Sequence, residues 1–161
     1  ETMFMQKPFA RDQFLVKLLK GNISDGKEIN SLLHSLNIQM ENPLFMQGDI
    51  NKLKEVFINV LDNSIKYGYV NSMIQVHAFK QGNEIVITIL DEGEGIREEA
   101  LERIFEPFYR DNDVNREEKG SAGLGLAIVK NTVEQHGGKV RMASTLNKGS
   151  EFKIVLPVQR T

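Results

Sequence analysis

The chain lacks cysteine altogether, which excludes disulfide frameworks, thiolate metal sites and cysteine nucleophiles. It also lacks a dominant charge, because 20 basic and 22 acidic residues leave a formal net charge of -2. No overall field therefore selects nucleic acid or an anionic membrane. No apolar run approaches the roughly 18 residues that span a bilayer, and no signal peptide pattern opens the chain. The binding partner has to be inferred from local sites.

The length of 161 residues predicts one domain with one core, which buries about two-thirds of the unfolded surface. We therefore expect a single domain over residues 1–161. The chain begins at Glu1 and not at methionine, so we expect a piece of a longer protein. The absence of cysteine suits a reducing compartment, and we expect a cytoplasmic domain.

Residues 49–69 carry the clearest pattern. Apolar side chains recur at i, i+3, i+4, i+7 and i+8, which predicts a helix lying on a core: Leu53, Val56, Phe57, Val60 and Leu61. Asp49 is a plausible N-cap. The opposite stripe is polar and consists of Glu55, Asn59, Asn63, Lys66 and Tyr67. Two carboxamides, an ammonium and an aromatic ring on one stripe suit a metal ion, a phosphate and a flat base. An ordinary solvated helix face is the alternative.

The remaining pattern mixes strands and helices without the strict alternation of a parallel doubly wound sheet. It predicts helices over 11–20, 24–34, 98–104 and 124–135, and strands over 37–40, 44–47, 73–79, 84–90, 139–144 and 150–157. The first two strands flank a turn signal at residues 41–43. Residues 106–122 show no periodicity and predict a mobile loop, which we call the lid. The expected fold is an α/β two-layer sandwich, a mixed and largely antiparallel sheet packed on helices.

Two glycine-containing stretches suggest ligand chemistry. Asp91 closes a strand at its buried end, where a carboxylate needs a donor such as the exocyclic amine of a purine. Gly93 and Gly95 follow it and would let the backbone approach a flat ligand, although a simple tight turn is the alternative.

The second stretch, residues 120–126, opens a helix, where backbone N–H groups can point at phosphate oxygens. It matches neither the P-loop nor the Gly-x-Gly-x-x-Gly fingerprint, so a different nucleotide fold is implied.

Five short motifs occur in one order with consistent spacing: NVLDNSIKY (59–67), DEGEGI (91–96), FEPFYR (105–110), GLGLAIVK (123–130) and GSEF (149–152). Together they resemble the ATP-binding catalytic domain of sensor histidine kinases, in the superfamily shared with gyrase, Hsp90 and MutL. The resemblance covers roughly residues 45–158. Each motif alone is weak evidence for the family, whereas five motifs in the same order are specific for it.

The resemblance implies a Bergerat-type fold that binds ATP and Mg²⁺ and transfers the γ-phosphoryl group to a histidine in two-component signalling. The implied partners are a dimerisation and phosphoacceptor helix of the same protein and a downstream response regulator, with no nucleic acid and no direct membrane contact. The parent protein is expected to be membrane-anchored. The alternatives are a nucleotide-dependent scaffold or degenerate kinase, a gyrase-like or Hsp90-like ATPase, and an anti-sigma serine kinase.

The resemblance also implies roles for individual residues. Asn63 would coordinate Mg²⁺ with help from Asn59, and Lys66 and Arg110 would neutralise the triphosphate; these four form the expected catalytic set. Asp91 would accept the adenine amino group. The other expected nucleotide contacts are Tyr67, which would pack near the adenine, Gly93, Gly95, Ile96, Phe105, Gly123, Leu124, Gly125, Leu126 and Ser150. Phe105 and Phe108 would anchor the two ends of the lid's first turn.

The sequence departs from the family pattern at two positions. Hydrolytic relatives carry a water-activating glutamate where this chain has Asn59, so ATP hydrolysis should be slow. Ala122 stands where the family often has threonine or serine, which removes one hydroxyl contact to phosphate.

None of the three histidines resembles the phosphoacceptor of the family, which is followed by an acidic residue and soon by a proline. His34 is expected to be exposed on a helix, His77 to face outward from a strand, and His136 to provide a favourable charge at a helix C-terminus. We expect the acceptor helix to lie outside this chain.

Overall fold

The computed structural model describes residues 2–5, 36–40, 44–69, 71–109 and 123–158. In chain order the elements are β1 (Thr2–Met5), β2 (Leu36–Met40), β3 (Leu44–Gln47), α1 (Ile50–Tyr67), β4 (Ile74–Gln81), β5 (Glu84–Glu92), α2 (Glu98–Leu101), α3 (Gly125–Gln135), β6 (Lys139–Thr145) and β7 (Gly149–Pro157). The helices predicted over 11–20 and 24–34, His34, and most of the lid lie outside the described residues.

The main sheet has five strands in the order β2-β4-β5-β7-β6. β2 runs parallel to β4, and every other neighbouring pair is antiparallel, so the predicted mixed and largely antiparallel sheet is confirmed. β2 and β3 occur where the sequence predicted them but do not pair with each other. β3 instead pairs antiparallel with β1 in a separate two-stranded sheet. The turn signal between them therefore separates strands of two different sheets.

Helix α1 forms where the apolar stripe predicted it. The Asp49 carboxylate accepts hydrogen bonds from the backbone N–H groups of Asn51 and Lys52, at 3.0 and 3.1 Å, as expected of an N-cap. The bond from Lys52 is the main reason that the pKa of Asp49 lies below its usual value. The helix ends at Tyr67, because Gly68 is extended and forms a β-bridge with Gly93.

One core joins α1, α3 and one face of the main sheet. Its members with no exposed surface are Leu53, Val56, Val60, Val129, Val133, Phe152, Ile154 and Leu156. Each such side chain contributes on the order of 1.5–3 kcal/mol through burial. A smaller cluster of Ile96, Ala100 and Ile104 lies under the turn after α2. The helices and the sheet thus form the predicted two layers.

Helix α2 ends at Leu101, three residues before the predicted end, because residues 102–105 form turns.

The prediction for His136 was wrong in its physical role. The residue does occupy the C-cap position of α3, but its side chain is only 2% exposed. Its Nε2 accepts a hydrogen bond from the backbone N–H of Asp49 at 3.0 Å, and its Nδ1 lies 2.7 Å from the carbonyl oxygen of Thr132. A backbone N–H can only donate, so Nε2 carries a lone pair and Nδ1 carries the proton that goes to Thr132. The His136 ring therefore links the end of α3 to the start of α1 through two hydrogen bonds, as a neutral imidazole and not as a terminal charge.

His77 lies on the face of β4 opposite the buried Ile74 and Ala78, as predicted. It is half-buried, and its ring lies 5.1 Å from the ring of Phe79 on the same face. This placement gives His77 a packing role on the outer face of the sheet.

Candidate active site

The C-terminal end of α1 docks directly on the segment that follows β5. Gly68 and Gly93 form a β-bridge, the N–H of Tyr69 donates to the Glu92 carbonyl at 2.8 Å, and the N–H of Glu94 donates to the Tyr67 carbonyl at 3.0 Å. A Cβ added to Gly93 would lie 2.2 Å from the Tyr67 carbonyl oxygen. Only glycine permits this approach, which brings the polar face of α1 to the end of β5.

Gly95 is required for a second close approach. Its φ is +70°, and an added Cβ would lie 2.2 Å from the carbonyl oxygen of Thr145. The N–H of Asn147 donates to the Glu94 carbonyl at 2.7 Å, so the loop after β5 is held against the turn between β6 and β7. The protein's own backbone contacts therefore explain both glycines. The predicted approach of a ligand is not needed to account for them.

Asp91 lies at the end of β5 and is 8% exposed, which confirms its predicted burial. The backbone N–H of Ser150 donates to its Oδ1 at 3.3 Å. Burial raises the pKa of the Asp91 carboxyl, and interactions with the Ser64 hydroxyl and with Ser150 partly offset this rise. A carboxylate has four lone-pair positions, so Asp91 retains the capacity to accept a donor from a ligand.

Ser144 on β6 organises the surroundings of Asp91. Its Oγ accepts a hydrogen bond from the N–H of Ile96 at 2.7 Å and donates to the carbonyl of Gly149 at 2.9 Å. The hydroxyl of Ser150 lies 2.9 Å from the same oxygen. Sequence reasoning missed Ser144; the register that pairs it with Ser150 is the signal that identifies it. These bonds fix the strand that presents the Ser150 N–H to Asp91.

The two predicted metal-binding asparagines, Asn59 and Asn63, are half-buried and four residues apart on α1, so they share one face of the helix. The start of α3 lies against Asn59, since a Cβ added to Gly125 would be 3.2 Å from Asn59 Oδ1. No group of three or more His, Cys, Asp or Glu side chains able to hold a metal occurs within the described residues. Two amide oxygens suit a hard cation that takes its other ligands from water and phosphate.

Lys66, predicted to contact phosphate, forms an ion pair with Asp62 one turn earlier, with 2.8 Å between Nζ and Oδ2. Both side chains are partly exposed, so the pair is worth on the order of 0.3–0.5 kcal/mol and opens readily. Tyr67 is half-buried, and its carbonyl receives the N–H of Glu94. Both residues lie at the docked end of α1.

The expectation for the lid's first turn was right for Phe105 and wrong for Phe108. Phe105 packs against both hydrophobic clusters. Phe108 is 73% exposed with a φ of +64°, so its ring anchors nothing within the described part of the chain. Its backbone N–H instead donates to the Gly123 carbonyl at 3.0 Å. The two ends of segment 110–122 are thus joined by backbone, and Arg110 and Ala122 lie outside the described residues.

Some residues of the second glycine-rich stretch, residues 123–126, are exposed and others pack in the core. Gly123 has a φ of +73°, and a Cβ there would lie 3.0 Å from the Tyr109 carbonyl oxygen. Leu124 is 37% exposed, whereas Leu126 packs against both hydrophobic clusters. Helix α3 begins at Gly125 without a hydrogen bond from a capping side chain. The N-cap residue, Leu124, has no side-chain oxygen that could accept from the first N–H groups.

Comparison with known proteins identifies the family. Residues 48–160 match the family model described as histidine kinase-, DNA gyrase B-, and HSP90-like ATPase. The chain belongs to this family. Within it, the chain is the ATPase domain of a sensor histidine kinase, so the predicted family, fold and catalytic-domain assignment are confirmed.

Individual relatives agree with this assignment. The chain is 31% identical over 166 residues to sporulation kinase C of Bacillus subtilis, covering 99% of the chain and 37% of that protein. It is 32% identical over 161 residues to the signal transduction histidine-protein kinase ArlS of Staphylococcus aureus, covering 88% of the chain and 36% of the relative. The histidine kinase ATPase domain therefore spans well under half the length of these relatives.

Solved structures share the fold. The mycobacterial sensor histidine kinase MprB superimposes with a TM-score of 0.73 at 24% identity, covering 100% of this chain and 99% of that one. The catalytic domain of the histidine kinase ThkA gives 0.74 at 22% identity, with 99% and 97% covered. In the part of this ATPase domain that the structure describes, no helix is long and apolar enough to cross a membrane.

Ser64 is a residue of the site that sequence reasoning missed. It is 1% exposed, and its Oγ is the one buried side-chain polar atom among the described residues without a hydrogen bond of good geometry. The signal was present in the sequence, because Ser64 follows Val60 by four residues and so lies on the apolar stripe of α1. A hydroxyl on a buried stripe needs a partner.

Proposed function

We propose that this domain binds Mg-ATP and transfers the γ-phosphoryl group to a histidine on a separate dimerisation helix. The observation that carries the proposal is the Asp91 carboxylate, buried at the point where α1 docks on β5 and holding acceptor capacity beyond its bond from Ser150. A buried acceptor beside a half-buried asparagine face matches a nucleotide, whose base donates at one end and whose phosphates bind a metal at the other.

In this proposal Asp91 accepts the amino group of adenine, and Asn63 and Asn59 supply amide oxygens to Mg²⁺. The cation, when bound, neutralises charge on the phosphates. Lys66 exchanges its weak pair with Asp62 for a phosphate oxygen, because a phosphate carries more charge than a carboxylate. Arg110 is assigned to the triphosphate by its motif alone.

The glycine-rich start of α3 serves the phosphates. The helix has eleven residues and begins without a side-chain cap, so an anion can take the place of the missing acceptor. Gly125 lies against Asn59, which brings this helix end close to the metal-binding face of α1. Backbone N–H groups near Gly123 and Gly125 would then hold phosphate oxygens while the asparagines hold the cation.

Neither histidine in the described part of the chain is placed as a phosphoryl acceptor. Of the two histidines that the structure describes, His136 is buried and hydrogen-bonded at both ring nitrogens, and His77 lies on the outer face of the sheet. We propose the dimerisation helix of the same protein as the acceptor, with a response regulator downstream. We also propose that residues 1–161 form one cytoplasmic domain of a membrane-anchored parent.

The test combines binding with transfer. Calorimetry with ATP and Mg²⁺ should detect binding by the wild-type domain and loss of the Mg²⁺-dependent part in Asn63→Ala. Asn83→Ala, in the turn between β4 and β5, is the matched control and should bind as wild type does. Unchanged affinity in Asn63→Ala would reject the metal assignment.

Radiolabelled ATP should give acid-labile label on a supplied acceptor helix, poorly in trans and much faster when the helix is fused, because the tether raises its local concentration. Label on His34, His77 or His136 of the domain alone would overturn the proposal. Binding of ATP without any transfer to a fused helix would instead favour a nucleotide-dependent scaffold.

A further inference from the structure

The ring of His136 is held on both sides by hydrogen bonds. It lies at the end of α3 and is 2% exposed. Its Nδ1 donates to the Thr132 carbonyl in the last turns of α3, and its Nε2 accepts from the backbone N–H of Asp49 at the start of α1. The backbone of Gly48 packs on the ring, since a Cβ added there would lie 3.0 Å from Cδ2 and 3.2 Å from Nε2. The ring therefore has little room to shift.

A second contact joins the same two helices at the other end of α3. A Cβ added to Gly125 would lie 3.2 Å from Asn59 Oδ1. Asn59 follows Asp49 by ten residues, which is about 15 Å along a helix. Gly125 precedes His136 by eleven residues, which is about 16 Å. The helices α1 and α3 therefore run antiparallel, and one contact lies at each end of their shared surface.

The rest of the packing of α1 and α3 is mainly apolar. The side chains of these two helices with no exposed surface are Leu53, Val56, Val60, Val129 and Val133. Apolar burial stabilises the pair but is non-directional, so it tolerates small shifts of one helix along the other. A hydrogen bond is directional and weakens steeply as its angle falls. The bond between Asp49 and His136 therefore fixes the axial position of α3 on α1 more strictly than the apolar contacts do.

We propose that His136 is a positioning residue for phosphate binding, because it holds the glycine-rich start of α3 against Asn59 by fixing the axial position of α3 on α1. This inference rests on the proposed binding of Mg-ATP, in which Asn59 faces the cation and the start of α3 faces the phosphates. His136 acts from the far end of α3. The feature that the proposal requires is the acceptor at Nε2, and not only the volume of the ring.

Loss of this bond has a specific consequence for the ligand. When α3 shifts along α1, the spacing between Gly125 and Asn59 changes, so the helix N–H groups and the amide oxygen no longer match one phosphate–cation unit. The base is proposed to bind at Asp91, where the Gly68–Gly93 bridge holds the C-terminal end of α1 on β5. The affinity for the phosphates should therefore fall while the affinity for the base is kept.

The experiment compares His136→Leu with His136→Gln. Leucine keeps the side-chain volume but offers no acceptor, whereas glutamine places an oxygen as many bonds from Cβ as Nε2 is. Both variants lose the ring, and both should melt at a lower temperature than wild type. NMR titrations with ATP and Mg²⁺, and with adenosine, are run at a temperature at which every variant is folded, so that stability does not enter the Kd. His77→Leu makes the same change on the outer face of the sheet and is the control.

The expected result is a selective loss. His136→Leu should bind ATP with Mg²⁺ about five- to tenfold more weakly than wild type, as for the weakening of one or two hydrogen bonds to phosphate. Its affinity for adenosine should stay within about twofold of wild type, because the base site lies far from the substitution. His136→Gln should recover most of the ATP affinity, and His77→Leu should bind both ligands as wild type does.

A second variant displaces the ring without removing it. In Gly48→Ala the added Cβ presses on His136 and on Leu53 Cδ1, at 3.0 and 2.7 Å, and ATP affinity should again fall more than adenosine affinity. If His136→Leu does not fold, the result for Gly48→Ala stands in its place.

Three results would overturn the inference: wild-type ATP affinity in His136→Leu, equal losses of ATP and adenosine affinity, or ATP binding by His136→Gln as weak as that of His136→Leu. A merely structural role predicts no dependence on the phosphates or on the acceptor. A wild-type domain that fails to bind ATP would instead reject the proposed function itself.

Discussion

Asp91→Asn separates the role of Asp91 in binding from its role in folding. The residue is 8% exposed, and the backbone N–H of Ser150 donates to one of its oxygens. Asparagine at this position keeps a carbonyl oxygen for Ser150, which turns its NH₂ group toward the position of the second carboxylate oxygen. A donor would then face the adenine amino group, where the proposal requires an acceptor.

The expected loss of affinity follows from the bond removed. A hydrogen bond to a charged group is worth about 1.5–3 kcal/mol, which corresponds to roughly 10- to 150-fold in Kd. The opposed donors place the result toward the upper end of that range. Because a rotated amide also tolerates the O6 of guanine, the preference for ATP over GTP should narrow.

The stability of the domain without nucleotide should change in the opposite direction. Burial raises the pKa of Asp91 above its usual value, so the folded state favours the protonated carboxyl more than the unfolded state does. The stability that Asp91 contributes is then fully present below the unfolded pKa and is lost as pH rises through the folded pKa. At neutral pH the ionised carboxylate opposes folding, and Asp91→Asn should remove that cost along with its pH dependence.

Calorimetry with ATP and GTP, and thermal unfolding across acidic to neutral pH, measure both effects. Asp49→Asn is the matched control, because asparagine also serves as an N-cap and Asp49 lies at the opposite end of α1. The control should bind ATP as wild type does. ATP affinity unchanged in Asp91→Asn, or a loss of stability at neutral pH, would refute the reasoning.

Two further substitutions test the framework of the site. His136→Ala should lower the free energy of unfolding, measured by urea denaturation, by about 2–4 kcal/mol, because it removes a buried ring and leaves the Asp49 N–H unpaired. A loss below about 0.5 kcal/mol would contradict the assigned link between the two helices. Gly93→Ala should prevent α1 from docking on β5, seen as a much lower melting temperature, since its Cβ would lie 2.2 Å from the Tyr67 carbonyl oxygen. Gly82→Ala, which meets nothing within 4 Å but has a φ of +61°, is the control and should cost only about 1 kcal/mol.

The sequence predicted what depends on local periodicity. The apolar stripe of residues 49–69 identified α1 and its buried face, Asp49 was recognised as its N-cap, and the strands predicted over 73–79 and 84–90 correspond to the antiparallel pair β4 and β5. The polar stripe placed Asn59 and Asn63 on one half-buried face. Each of these features is specified by residues that lie close together in the sequence, so the local pattern of one segment is enough to predict it.

The features that were missed depend on partners distant in sequence. His136 bonds a residue 87 positions away, which no helix pattern reveals, so its ring was taken for a favourable charge at the helix C-terminus. The Gly68–Gly93 bridge, which ends α1, and the pairing of β3 with β1 across the chain were likewise not predicted. In each case a tertiary contact overrode a correct local pattern.

The position of Asn59 bears on how the domain controls its reaction. An amide cannot take a proton from an attacking water, so bound ATP should persist until an acceptor arrives. The start of α3 closes on this amide, since a Cβ at Gly125 would lie 3.2 Å from Asn59 Oδ1. A glutamate here would place a negative charge between that helix end and the phosphates it is proposed to hold. Under the proposed function, asparagine at this position is therefore expected both to slow hydrolysis and to favour phosphate binding, and the rate of transfer is expected to depend on how closely the acceptor helix is tethered.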